Sequence, residues 1–341
     1  MNHLLEIRNL QVELKTELGP VYPVQGADLI VRRGETLCLV GESGCGKSLT
    51  MMSVMGLLPP GSRIQADRFH LEGESLLTLD EHAYRKLRGP VIGMIFQDAM
   101  AAFNPVLRIG DQLAEPLRVH KGFSRKAAWV RAVEWLDRVG IVEPEKRARF
   151  YPHEFSGGML QRAMIAMALI TEPDLVIADE PTTALDVSVQ AEILDLLRSL
   201  LSERQAGLVM ITHDLGVVAE MADRVTVMYA GRTIEEASGA EFFARLSHPY
   251  SRGLMACTPN WRAGAVPVTP IPGLPPALTA VQTGCAFRFR CAEAMVICAE
   301  KPEITEVAAG HRVACWLNRK PDMLATVAQG GDDEGAMDVD D

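Results

Sequence analysis

With 341 residues, 48% of them hydrophobic and 23% charged, the chain has the length for about two domains and ample apolar material for a core. No apolar run reaches the roughly 20 residues a bilayer-spanning helix needs, and MNHLLEIRNL places charged and polar residues where a secretory signal needs an apolar block. A net charge of −10 argues against nucleic acid as the partner, and the expected location is cytosolic unless partners hold the chain at a membrane.

Leu10, Val12 and Leu14 alternate with Gln11, Glu13 and Lys15, which predicts a half-buried strand, and ADLIV before Arg32-Arg33-Gly34 predicts an antiparallel partner. TLCLVG predicts a buried strand, GESGCGKS at 41–48 a loop, and SLTMMSVMGLL a helix. RFHLEGESL reads as a polar strand section, followed by a short helix rich in Arg and Lys and the apolar strand VIGMIF, ending at Gln97. From about 106 to 172 the pattern is helical, with AAWVRAVEWLDRVG spaced for one apolar face. LVIADE at 175–180 predicts a buried strand closed by two acids. A helix (VQAEILDLLRSLLSE), a strand (LVMIT), a further helix and a strand (RVTVMYAG) follow. This alternation predicts an α/β fold with a parallel sheet covered by helices.

Near Pro249 the pattern breaks. Prolines at 259, 267, 270, 272, 275 and 276 predict an extended linker, with a cysteine-bearing segment beyond it and an acidic, disordered tail in GGDDEGAMDVDD. Four of the seven cysteines crowd into 285–315, which in a cytosolic protein points to metal or cluster ligation before disulfides.

The loop at 41–48 fits the phosphate-binding pattern through Gly41, Gly46, Lys47 and Ser48, with Ser43, Gly44 and Cys45 inside it. Glycines let successive backbone N–H groups point inward at a helix N-terminus, which favours an anion. Lys47 is placed to reach the β- and γ-phosphates and Ser48 to hold Mg2+. Asp179 and Glu180 end a strand where that loop opens: Asp179 is expected to bind Mg2+ through water and Glu180 to polarise the attacking water. His213, after the next strand, is a candidate for contact with the γ-phosphate. Gln97, also at a strand end, can ligate Mg2+ or orient water. Ser156, Gly157 and Gly158 in FSGGM open a second helix whose free N–H groups suit another phosphate. Two phosphate-gripping helix ends for one catalytic carboxylate suggest a head-to-tail pair of subunits.

These motifs resemble those of ATP-binding subunits of ABC transporters, from about residue 4 to 320. GESGCGKS is similar to the Walker A motif, LVIADE to Walker B, FSGGM to the family signature, Gln97 to the Q-loop, TALD at 183–186 to the D-loop, and His213 to the switch histidine. Tyr22 falls where the family places an aromatic against adenine. FQDAMAAFNPV, ADEPTTALDVSVQAEIL, SHPYSRGLM, GCAFRFRC and HRVAC resemble the dipeptide and oligopeptide importers more narrowly. Cys45, Phe155, Met159 and Phe289 depart from the usual residues without removing a phosphate-binding group.

The resemblance implies ATP and Mg2+ as ligands and a core over 1–248 with an antiparallel β subdomain and a helical subdomain at about 98–165. Beyond these it implies a C-terminal extension over 249–320 and the tail over 321–341. Implied partners are a second ATPase, with a sister subunit favoured over a second copy, two integral membrane permeases and a periplasmic or extracellular solute-binding protein. The implied place is peripheral, on the cytoplasmic face of the inner membrane. Relatives of this type also serve nickel, glutathione and some sugars, so the solute stays open. A soluble ABC ATPase acting on DNA or ribosomes is disfavoured by the compact spacing from loop to signature, and a metal-sensing regulator by the intact hydrolytic residues. Cys285, Cys291, Cys298 and Cys315, spaced x5, x6 and x16, resemble a set implicated in a four-iron iron–sulfur cluster. Their spacing leaves Zn and free thiols open as well, and His311 nearby is expected to be structural.

Overall fold

The structure is a computed structural model that describes residues 3–183, 185–257 and 269–319. The chain opens with two long antiparallel strands, β1 (Leu5–Thr16) and β2 (Gly19–Val31), then β3 (Thr36–Val40) and α1 (Lys47–Val54). Next come β4 (Arg63–Gln65), β5 (Arg68–Leu71), β6 (Glu74–Ser75), α2 (Glu81–Leu87) and β7 (Ile92–Ile95). A helical stretch follows: α3 (Ala99–Ala102), α4 (Ile109–His120), α5 (Arg125–Arg138), α6 (Pro144–Arg147) and α7 (Gly157–Leu169). The chain then alternates through β8 (Leu175–Asp179), α8 (Val187–Ser202), β9 (Gly207–Ile211), α9 (Leu215–Met221), β10 (Arg224–Tyr229), β11 (Arg232–Ser238) and α10 (Gly239–Ala244). It closes with α11 (Pro249–Ala256), β12 (Thr305–Ala308) and β13 (His311–Val313).

Two sheets organise these elements. The first is antiparallel, in the order β2-β1-β5-β6, with β4 also on β1. The second runs β12-β13-β11-β10-β3-β9-β8-β7, and its strands from β10 to β7 are parallel. Helices cover the central strands, so the strands read as continuous apolar runs: every residue of β9 and all but the last of β8 are buried. Because β3, β9, β8 and β7 are parallel neighbours, the residues after each of them emerge at one edge of the sheet. That geometry assembles the site.

In the helical stretch, α5 starts at Ser124, whose side chain accepts the Ala127 N–H. It buries Ala128, Ala132, Trp135 and Leu136, the i, i+4, i+7, i+8 stripe of one helix face. The α/β class, the β subdomain and the helical stretch expected from the sequence are present.

Two features lay outside the sequence reading. The hairpin β12–β13 pairs with β11 and extends the core sheet, and residues 269–283 form no helix or strand but run back along the β subdomain. There the Tyr22 N–H donates to the Leu278 carbonyl at 2.7 Å and the Gln282 N–H to Gln25 Oε1 at 2.7 Å. Part of the proline-rich stretch, Ala184 of TALD and the acidic tail fall outside the described residues. No helix among the described residues is long and apolar enough to cross a membrane.

Candidate functional site

The 41–48 loop joins β3 to α1 with little slack. A Cβ on Gly41 (φ 152°) would lie 2.3 Å from the Met228 carbonyl oxygen, and one on Gly46 (φ 103°) 2.3 Å from that of Pro23. Glycine is therefore required at both positions by close approach as well as by backbone conformation. Lys47 is buried, and its Nζ donates to the carbonyls of Gly41 at 2.8 Å and Glu42 at 2.9 Å. The ammonium thus rests on loop oxygens at the start of α1. Cys45 is buried in the loop, and burial raises its thiol pKa against the opposing influence of Lys47. Ser43 and Gly44 complete the turn, with Gly44 in the left-handed region at φ 77°.

Ser48 Oγ donates to Asp179 Oδ1 at 3.1 Å, which joins the start of α1 to the end of β8. Burial raises the Asp179 pKa, opposed by the Ser48 hydrogen bond, while Glu180 adds to the rise and Lys47 counters it. Hydroxyl, carboxylate and the nearby Gln97 amide are hard oxygen donors, the set that suits Mg2+.

Glu180 adopts a left-handed conformation, φ 47°, with its N–H donating to the Ile211 carbonyl at 2.9 Å. For a residue with a Cβ that conformation costs on the order of 1 kcal/mol, and here it turns the carboxylate out of the strand line. Three side chains converge on it: Gln97 Nε2 donates to Oε2 at 3.0 Å, Thr183 Oγ1 donates to Oε2 at 3.0 Å, and His213 Nδ1 lies 3.1 Å from Oε1. Gln97, Glu180 and His213, all singled out from the sequence, thus form one cluster. Thr183 was missed: it lies in TALD, three residues from Glu180, with nothing in the pattern to mark its hydroxyl.

Other expected residues lie apart. Ser156 caps α7 by accepting the Met159 N–H at 3.3 Å, and among the described residues no hydrogen bond joins Ser156, Gly157 or Gly158 to the 41–48 loop. Ser156 and Gly157 are exposed, and a Cβ on Gly157 would meet nothing within 4 Å. Their helix is tied to the sheet edge that carries Glu180 by buried Gln161, whose Nε2 donates to the Pro181 carbonyl at 2.5 Å. Tyr22 is half-buried on β2, beside a cavity of about 120 Å³ shared with Gln11, Arg63 and Val281. It is adjacent in sequence to Pro23, which abuts Gly46.

The four C-terminal cysteines share one neighbourhood. Burial pushes the Cys315 thiol up to about 11, with further upward influence from Cys285, Cys291 and Cys298. Burial likewise raises Cys285 and Cys291. Backbone N–H groups reach the sulfurs: Met295 N lies 3.5 Å from Cys298 Sγ, and the N–H groups of Phe287, Glu293 and Leu317 serve Cys285, Cys291 and Cys315. Yet among the described residues no group of three or more His, Cys, Asp or Glu side chains is arranged to hold a metal ion. The iron–sulfur expectation therefore gains no support from this geometry. His311 is fully buried, with Nε2 2.8 Å from Glu235 Oε1, a structural contact as expected.

Known proteins resemble this chain along nearly its whole length. The ABC transporter family matches residues 24–183, and the oligopeptide/dipeptide transporter C-terminal region matches residues 234–298. The dipeptide transport ATP-binding protein DppD of Bacillus subtilis (strain 168) is 47% identical over 319 residues, spanning 93% of this chain and 95% of that protein. The oligopeptide transport ATP-binding protein OppD of Escherichia coli (strain K12) is 47% identical over 313 residues, spanning 92% of this chain and 93% of its own. Among solved structures, the dimeric post-hydrolysis state of the ATP-binding cassette MJ0796 bound to ADP and Pi superposes with a TM-score of 0.61 at 28% identity, covering 69% of this chain and 98% of that one. Fold, motif order and similarity along nearly the whole chain agree: this protein belongs to the ATP-binding subunits of ABC transporters, in the group that carries the oligopeptide/dipeptide transporter C-terminal region, and it is an ATPase.

Proposed function

We propose that this ATPase powers the import of di- or oligopeptides, working as one of two nucleotide-binding subunits under a membrane permease. The observation that carries the chemical part is the convergence of Gln97, Thr183 and His213 on Glu180. In this reading the N–H groups of the 41–48 loop bind the phosphates, and Lys47 exchanges its contacts with Gly41 and Glu42 for phosphate oxygens. Glu180 orients the attacking water and draws its proton, while His213 and Gln97 hold the carboxylate in place. Ser48 and Asp179, with Gln97, would hold Mg2+, which neutralises charge on the β- and γ-phosphates. Tyr22 would lie against the adenine.

The exposed Ser156–Gly158 helix end supports a head-to-tail pair, in which it grips the nucleotide held by the other subunit's loop. Exposed Phe96, Met100, Val106 and Leu107, beside and after Gln97, offer an apolar surface for two integral membrane permeases. The subunit is then peripheral, on the cytoplasmic face of the inner membrane, and a solute-binding protein outside delivers the peptide. A sister ATPase is favoured over a second copy. Peptide as the solute rests on similarity to proteins named for dipeptide and oligopeptide transport.

Reconstitution of the full chain with its permeases and sister ATPase in vesicles tests the assignment. Hydrolysis should rise when the solute-binding protein arrives loaded with peptide. Stimulation by nickel, glutathione or a sugar instead would reject the solute.

For Cys285, Cys291, Cys298 and Cys315 the finer reading is a soft-metal group, a four-iron cluster in preference to zinc. Its support is donor chemistry: four sulfurs and backbone N–H groups directed at them. Anaerobic purification with visible absorbance and metal analysis should find iron; zinc would reject the cluster, and no metal would reject the group.

A further inference from the structure

The second residue of the phosphate loop, Glu42, is held by the C-terminal segment. Arg290 meets its carboxylate as a fork, with Nη1 2.7 Å from Oε2 and Nη2 2.9 Å from Oε1. Arg290 is only 9% exposed and its guanidinium is otherwise engaged: Nε donates to the Pro272 carbonyl at 2.9 Å, Nη2 to that of Ile271 at 3.4 Å, and Nη1 to the Tyr229 hydroxyl at 3.3 Å. The Glu42 carboxylate raises the Arg290 pKa further.

Glu42 is also fixed through its backbone. Its N–H donates to the Tyr250 hydroxyl at 2.7 Å, and its carbonyl is one of the two oxygens on which Lys47 rests. Side chain, N–H and carbonyl are thus tied to three different parts of the chain, and two of those ties come from beyond residue 249. Attachment of the C-terminal segment does not need the fork. The β11–β13 pairing, the His311–Glu235 contact and the donation from Arg232 to the Gly284 carbonyl at 2.8 Å already dock it. What the fork adds is a fixed position for the Glu42 peptide, and with it the direction of the loop's N–H groups and the resting place of Lys47.

We propose that the C-terminal segment sets the ATP affinity of the phosphate loop through Arg290, a positioning residue that acts through Glu42. Arg290 lies next to Cys291, and the backbone of its segment is closed by Cys285 N–H donating to the Cys298 carbonyl at 3.0 Å. The cysteine-bearing module and the nucleotide loop are therefore joined by one ion pair, buried at Arg290 and half-buried at Glu42. A forked pair with a buried guanidinium is sensitive to loss of either member, and most to loss of the carboxylate that compensates the buried charge.

The inference rests on reading 41–48 as the ATP loop, and the test separates the two. The full chain and its Arg290→Gln, Glu42→Gln and doubly substituted variants are titrated with Mg-ATP, and the KM and kcat for ATP are measured in the assembled transporter. Each single variant should weaken ATP binding about tenfold, the loss expected from one charge-assisted contact. The double variant should be no weaker than either single one, since both remove the same interaction. For Arg290→Gln the KM should rise while kcat at saturating ATP changes less than about twofold, the split expected when ground-state and transition-state binding fall together. Binding within twofold of wild type in both single variants, or additive losses in the double variant, would overturn the proposal. If Arg290→Gln does not fold, Glu42→Gln, on a half-exposed loop residue, decides alone. Failure of the wild-type chain to bind ATP would reject the loop assignment instead.

Discussion

In the proposed mechanism Glu180 concentrates the chemistry in one side chain. Its left-handed backbone is retained because the N–H is anchored on Ile211 and because three side chains hold the carboxylate. Glu180→Gln keeps the size and most of the contacts but removes the base. We expect ATP binding within about threefold of wild type and turnover lower by about 10²- to 10³-fold, the range of a lost general base. Parallel measurement of ATP affinity and single-turnover hydrolysis checks it, and near-normal turnover would reject the role of Glu180. The sequence marked Glu180, since two acids at the end of an apolar strand after a phosphate loop are a local pattern. It could not mark the company Glu180 keeps. Gln97 lies 83 residues and His213 33 residues away, and they meet it only because β7, β8 and β9 are adjacent and parallel.

Among the elements, β11 shows how the tertiary setting overrides a local reading. RTIEEAS would suit an exposed edge, yet its first six residues are buried because β13 pairs on its outer side. Glu235, fully buried, accepts the N–H groups of Ser247 at 2.8 Å and His248 at 3.0 Å and faces His311 Nε2. His248 starts α11 by accepting the Tyr250 N–H, and burial, with the nearby Arg252 charge, lowers its pKa to about 3. The folded protein therefore keeps His248 neutral where an unfolded chain protonates it near 6.5. The unfolded state binds more protons between those values, so stability falls as the pH drops from 6.5 toward about 3 and is insensitive to this group above 6.5. The slope from one such group is at most about 1.4 kcal/mol per pH unit. Asn keeps the helix-capping acceptor without titrating, so His248→Asn should flatten the acid limb of a urea-midpoint-against-pH profile. An unchanged acid limb would reject His248 as a source of the slope.

At the scale of the whole molecule, the exposed signature end of α7 and the nucleotide loop of the same chain make no hydrogen bond to each other, which leaves each free for a partner. Gly157 supplies the test. A Cβ there meets nothing within 4 Å, and as a helical position it tolerates a side chain, so Gly157→Glu should fold with a melting temperature within about 2 °C of wild type. The added carboxylate would oppose phosphate at a shared site, so hydrolysis by the assembled pair should fall by about 10-fold or more, while ATP binding to the isolated chain stays unchanged. Full activity in the pair would reject the shared site.

The sequence by itself determined the phosphate loop, the acidic strand end, the signature helix and the alternation of strands and helices, because each is written within about 20 residues and depends on local periodicity, glycine conformation and helix ends. It also marked the four cysteines as a group, though not whether they hold a metal. Tertiary structure alone decided that β12 and β13 would extend the core sheet and that Arg290 would reach back 248 residues to Glu42. Such a contact leaves no periodicity in the chain. It exists because the parallel core fixes the loop and the C-terminal hairpin docks beside it, so that a buried guanidinium meets a half-buried carboxylate far away in sequence.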